Sequence, residues 1–171
     1  MPVKLKRFFF FVVYILFSVL FIFLQSSGLC TLQIGTMSAL LVLPCVAYGG
    51  FYFGCYTGAL IGFLLGVLTD VFSEPFIFNA VALTLIGFAC GLVMMYLFNR
   101  NLAAACVLSF AVSLVYFFAK WLITYAFVDP TPAFILFRYS LPSALYTGVV
   151  GVALYFVIRP IFNKFPTQVR K

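Results

Sequence analysis

The sequence predicts an all-α integral membrane protein, six transmembrane helices in one compact bundle. Three observations lead there. Hydrophobic residues make up 66% of the 171-residue chain and charged residues 8%, against roughly half and ~25% in soluble domains. A chain of this size folded in water needs far more polar surface, so a cytosolic globular domain and a disordered chain are both excluded. The apolar residues fall in long runs, and about 20 in a row suffice to cross a bilayer as a helix. They do not alternate in strands of about ten residues, as an outer-membrane barrel requires. Finally, the basic residues segregate to one side of the predicted spans, as topology demands.

Taken in order, the first span covers residues 8–24 and carries no charge. It exceeds the ~7–15 apolar residues of a signal peptide, and Ser26-Ser27-Gly28 is a poor cleavage site, so it reads as an uncleaved helix. The second, residues 29–48, has Gln33 and Thr36 near its start. The third covers 49–69 and the fourth 80–98, with Asn79 as its N-cap. Arg100 follows the fourth span, where a cation suits the negative end of a helix dipole. The fifth runs over 102–128 and stops at Asp129-Pro130-Thr131-Pro132, which cannot continue a helix. The sixth covers 139–158. Pro44 and Pro142 fall inside spans and predict kinks. The spans leave little chain for anything else, so residues 1–171 form one membrane domain.

Six spans place Lys4, Lys6, Arg7, Arg100, Arg159, Lys164, Arg170 and Lys171 on one side, the cytoplasmic one. The net charge of +7 thus reflects topology and contact with anionic lipid; no nucleic-acid surface is indicated. Tyr48, Tyr52, Tyr56, Tyr96, Tyr125, Tyr139 and Tyr155 mostly fall near predicted ends, as an interfacial aromatic belt would.

Catalytic chemistry is poorly supplied. The chain has no histidine and only three acids, so a nucleophile has no ordinary base to activate it. Cys30, Cys45, Cys55, Cys90 and Cys106 form no CxxC pair and read as packing residues. No enzyme activity, cofactor or metal is expected.

The most informative stretch is Gly50, Gly54, Gly58, Gly62 and Gly66, a glycine at every fourth residue, followed on the same spacing by Asp70. Glycine lets helices approach to backbone contact, which drives association in lipid. Two readings stand: tight packing within the chain, or a groove for a partner's helix. Asp70 sits at the end of a helix whose dipole disfavours it. An outer-face ion pair of Asp70 or Glu74 with Lys120 would account for its place.

The run from Gly58 through Gly62 and Gly66 to Asp70, the short loop containing Pro75, and Asn79 followed by Gly87 and Gly91 resemble the bacterial rod shape-determining protein MreD family. The length, the six spans and the closing Leu141-Pro142-Ser143-Ala144-Leu145 helix are similar too. The family often has glycine where Ile77 stands here. The resemblance implies a fold like that of the S components of energy-coupling-factor vitamin transporters. It also implies a non-enzymatic subunit of the cell-wall elongation complex. Its expected partners are an MreC-like bitopic protein and, through it, MreB, RodA and a class B penicillin-binding protein. On this reading Gly50, Gly54, Gly58, Gly62, Gly66, Asp70, Asn79, Gly87 and Gly91 are the packing or partner-binding residues. The alternative is an S component itself, binding a vitamin. The first span lacks the Ala-x-x-x-Ala docking surface usual in that class, since the first alanine is Ala39. Channel or transporter activity ranks below both, because the spans lack buried ion-path charges.

Overall fold

The computed structural model describes residues 3–26, 33–34, 37–38, 40–72, 78–96, 102–124, 134 and 136–163. Six helices account for nearly all of them: α1 (Val3–Ser26), α2 (Val42–Phe53), α3 (Cys55–Phe72), α4 (Phe78–Tyr96), α5 (Leu102–Thr124) and α6 (Leu141–Asn163). A π-helical turn, Leu136–Ser140, runs directly into α6. Between α1 and α2 lies a two-stranded antiparallel ladder, β1 (Gln33–Ile34) and β2 (Met37–Ser38), pairing Gln33 with Ser38 and Ile34 with Met37. Four helical segments are long and apolar enough to cross a membrane: α3, α4, α5, and the π turn with α6. The apolar part of α1, Phe11–Phe23, and α2 are shorter. The protein is a multi-pass membrane protein.

The helices alternate in direction. α3 and α4 are antiparallel, with Gly66 against Ala80, Gly62 against Leu83, Gly58 against Gly87 and Cys55 against Gly91. α1 runs antiparallel to α2, since Gln25 meets Leu41 while Phe11 meets Phe53. α2 runs parallel to α6, with Leu40 on Thr147 and Tyr48 on Gly151. The start of α1 and the end of α6 therefore lie at one end of the bundle.

The second and third spans differ from expectation. Residues 29–48 do not form one helix: helix begins only at Val42 and continues past 48 to Phe53. α2 has 12 residues, about 18 Å of rise, against a hydrocarbon core of ~30 Å. All 12 are buried, with α1, α3, α4, α5 and α6 packed around them. A helix enclosed on every side is apolar all round, so its sequence cannot be told from that of a lipid-facing span.

The chain reverses between α2 and α3 at Gly54, whose backbone has φ 96° and ψ 177°. That region is essentially reserved for glycine. The turn is tied by Gly54 N–H to Gly50 O (3.1 Å) and Gly58 N–H to Gly54 O (2.8 Å). The Thr57 hydroxyl reaches the Phe53 carbonyl at 2.6 Å. The glycine ladder is thus split over two helices and does not wind along one.

Neither proline kinks a helix interior. Pro44 stands in the first turn of α2, where its missing N–H has no helical partner to lose. Pro142 is the second residue of α6 and follows the π turn. The tyrosine belt is also only partial: Tyr48, Tyr52 and Tyr155 are buried, whereas Tyr56 and Tyr96 are exposed. Their predicted span ends were displaced, and α2 carries Tyr48 and Tyr52 into the core.

Candidate functional site

The residues singled out by the sequence converge on the seam where α3 meets α4 and the end of α2. A methyl group placed on Gly58 would lie 2.6 Å from both the Gly50 Cα and the Gly87 carbonyl oxygen. One on Gly66 would lie 2.6 Å from the Ala80 Cα. One on Gly62 would strike the Leu83 carbonyl, one on Gly87 the Gly58 carbonyl, and one on Gly91 the backbone of Cys55. Gly50 meets Gly87 and Gly91 in the same way. Six glycines of the set therefore serve one internal contact, in which backbone rests on backbone and dispersion acts at closest range. Gly54 differs, having nothing within 4 Å of its own added methyl; its role is the turn. With α4 seated on these faces, they offer no groove to a partner's helix.

Asp70 closes the seam. From the last turns of α3 its carboxylate accepts the N–H groups of Asn79 (3.2 Å) and Ala80 (2.8 Å), at the start of α4. Those donors have no partner inside their own helix, and in a membrane an unmet N–H costs several kcal/mol. An anion at a helix N-terminus is also favoured by the dipole. The charge that its own helix disfavours thus caps the next one. Asn79 is not the N-cap: it is the second residue of α4, is 7% exposed, and its Oδ1 accepts a short hydrogen bond from the Tyr116 hydroxyl of α5. Asp70, Asn79 and Tyr116 so link three helices. No spacing in the sequence signals the Asn79–Tyr116 pair, which is 37 residues apart.

Of the two expected ion pairs with Lys120, the one with Asp70 is not formed among the described residues, where Asp70 turns to the α4 backbone instead. Glu74 lies outside the described residues, as do Cys30, Arg100 and the loop with Asp129. Cys45, Cys55, Cys90 and Cys106 are free thiols. Among the described residues no cluster of metal-ligating side chains occurs.

A second set of polar groups, not singled out by the sequence, braces α2. The Tyr14 hydroxyl donates to the Cys45 carbonyl, and the Tyr48 hydroxyl to the Gly151 carbonyl at 2.8 Å. Thr147 Oγ1 and Gln25 Oε1 accept the N–H groups of Leu40 and Leu41, each at 3.2 Å. These side chains supply the start of α2 with the partners that a short buried helix lacks.

Between α5 and the start of α6 lies a groove of about 270 Å³ lined by apolar side chains and Ser140. Together these features make a scaffold for helix packing, with apolar residues such as Phe63, Leu85, Val115 and Val149 facing outward. No known protein family, curated protein or solved structure matches this chain.

Proposed function

We propose that the protein is a non-enzymatic membrane subunit of the bacterial cell-wall elongation complex, of the kind supplied by the MreD family. It would sit in the cytoplasmic membrane with both termini cytoplasmic. The observation that supports this reading is that the resembling stretch, residues 54–91, folds as one unit. Its glycines form a single antiparallel seam, and its aspartate caps the helix that its asparagine opens. The resemblance therefore covers residues that act together in the fold.

On this reading the protein works by contact, with an MreC-like bitopic protein and through it with MreB, RodA and a class B penicillin-binding protein. Because the glycine faces are occupied internally, the partner's helix meets an outward face. α3 presents Leu60, Phe63, Leu64 and Val67, each 40–53% exposed. The test is co-purification of an MreC-like protein with tagged chain from its own host. Phe63→Ala with Val67→Ala should weaken recovery of the partner while the protein still accumulates. Depletion in a rod-shaped host should give rounded cells. A purified protein that carries a tightly held vitamin, with no such partner, would overturn the proposal in favour of the S-component reading.

A further inference from the structure

The contact between α3 and α4 repeats along its own length, so backbone clearance alone does not fix how the two helices are aligned. Ala80 now rests on Gly66, Leu83 and Thr84 on Gly62, and Gly87 on Gly58. Sliding α4 toward the Gly54 turn by four residues, about 6 Å, meets glycine again. Ala80 comes onto Gly62, Leu83 and Thr84 onto Gly58, and Gly87 onto the turn itself. Gly50 of α2, which now faces Gly87 and Cys90, adds no side chain to obstruct the slide. A slide the other way is blocked, because it brings Ala80 onto Asp70, where a side chain replaces glycine. Links of five residues, 73–77 and 97–101, precede and follow α4, and each reaches further than one helical turn.

Polar ties at the start of α4 choose between the alignments. Asp70 stands on the same four-residue spacing as the glycines, and its carboxylate accepts the Asn79 and Ala80 N–H groups at 3.2 and 2.8 Å. Asn79 accepts in turn from the Tyr116 hydroxyl of α5, and the Phe78 ring lies 5.9 Å from the Tyr116 ring. These contacts all fall within the first turn of α4, and a slide of one turn breaks them together. Leu83, buried at the centre of the seam, must also repack, so the second alignment lies above the first.

We propose that α3 and α4 form a two-register element, in which the glycines permit a second alignment one turn nearer Gly54 and Asp70 is the pin that selects the first. Packed elements with repeating contacts change alignment in steps of one turn. The second alignment draws the start of α4 about 6 Å away from the end of α3 and from Tyr116, parting the three helices that Asp70 and Asn79 join. The inference is independent of the wall-synthesis reading.

Two cysteine pairs read the alignment. Ala59 follows Gly58 and Phe88 follows Gly87, so these two stand nearly level beside the seam. Val81 lies two turns before Phe88 on the same face of α4. The slide moves Phe88 off the level of Ala59 and brings Val81 to it. The whole chain, with its five native cysteines changed to alanine, is placed in phosphatidylcholine nanodiscs and treated with a short bismaleimide. Ala59→Cys with Phe88→Cys should cross-link readily, and Ala59→Cys with Val81→Cys poorly. Asp70→Ala should lower the first yield and raise the second at least roughly tenfold, the scale of one lost hydrogen bond to a charged group. Gly66→Ala should act in the same direction without touching the cap. Its methyl meets the Ala80 Cα at 2.6 Å, and the slide carries it past the start of α4. Gly62→Ala strikes the Leu83 carbonyl now and meets Ala80 after the slide, so it should not raise the second yield. Circular dichroism verifies the helical content of each variant. Unchanged yields in both Asp70→Ala and Gly66→Ala would overturn the proposal, as would an equal rise with Gly62→Ala. Loss of helical content in both would overturn it too, since no second alignment would then hold the fold.

Discussion

Replacing Gly58 by alanine tests the central seam with a single methyl group. That methyl lies 2.6 Å from two backbone atoms, the Gly50 Cα and the Gly87 oxygen, whereas ordinary contact begins at 3.4 Å. The 0.8 Å shortfall cannot be relieved by turning a side chain, because both obstacles are backbone. Either α4 moves off α3 or the α2–α3 turn opens. A gap of ~0.5–1 Å forfeits a quarter to a half of each dispersion contact along the opened face. Overpacking costs about 1–3 kcal/mol, and two backbone clashes at once place Gly58→Ala near the upper figure. Gly49→Ala is the control. Its methyl meets side-chain atoms only, Ile61 Cδ1 at 3.0 Å and Cγ2 at 3.3 Å, so a smaller loss of about 1 kcal/mol is expected. The assay is unfolding by added dodecyl sulfate in mixed micelles, followed by far-ultraviolet circular dichroism. Thiol labelling of buried Cys90, beside the seam, reports local opening. If Gly58→Ala unfolds at the same detergent fraction as the parent, or no earlier than Gly49→Ala, the backbone-contact account is wrong.

Three further outcomes are expected. Asp70→Asn leaves one acceptor oxygen for two N–H donors and removes the charge facing the α4 dipole; a loss of about 1–2 kcal/mol should appear in the same unfolding assay. Tyr116→Phe strands the buried Asn79 carbonyl oxygen and should cost about 1 kcal/mol, with Asn79→Leu in the Tyr116→Phe background recovering part of it. Gly54→Ala meets no atom, yet it should destabilise by about 1–3 kcal/mol through its backbone angles alone, and d-alanine introduced there by semisynthesis should be tolerated.

The membrane class and four of the spans were legible in the sequence because bilayer-crossing segments must be long, apolar and uncharged. α4 and α5 lie close to the runs that predict them for that reason. α2 was not legible, since a helix buried on every side has no polar face to betray its ends. The break at Gly54 was hidden by regularity: one glycine in an even ladder turns the chain, and spacing alone does not say which. The role of the glycines as a packing surface could be read, but the choice between α4 and a foreign helix is a matter of tertiary structure. Asp70 was recognised as misplaced on its own helix, while its use by the next depends on how the chain returns. The Asn79–Tyr116 bond and the braces of α2 join distant residues and leave no local pattern.

The enclosure of α2 also constrains how the polypeptide is made. A segment of 12 residues leaving the ribosome cannot be handed to lipid as an independent crossing, so insertion must carry it in as a hairpin with α3, pivoting on Gly54. Until α6 emerges, Tyr48 has no Gly151 carbonyl to bind, and the nascent chain must shelter a half-wrapped centre. Chains halted before α6 should therefore be the forms that quality-control proteases of the membrane recognise and remove.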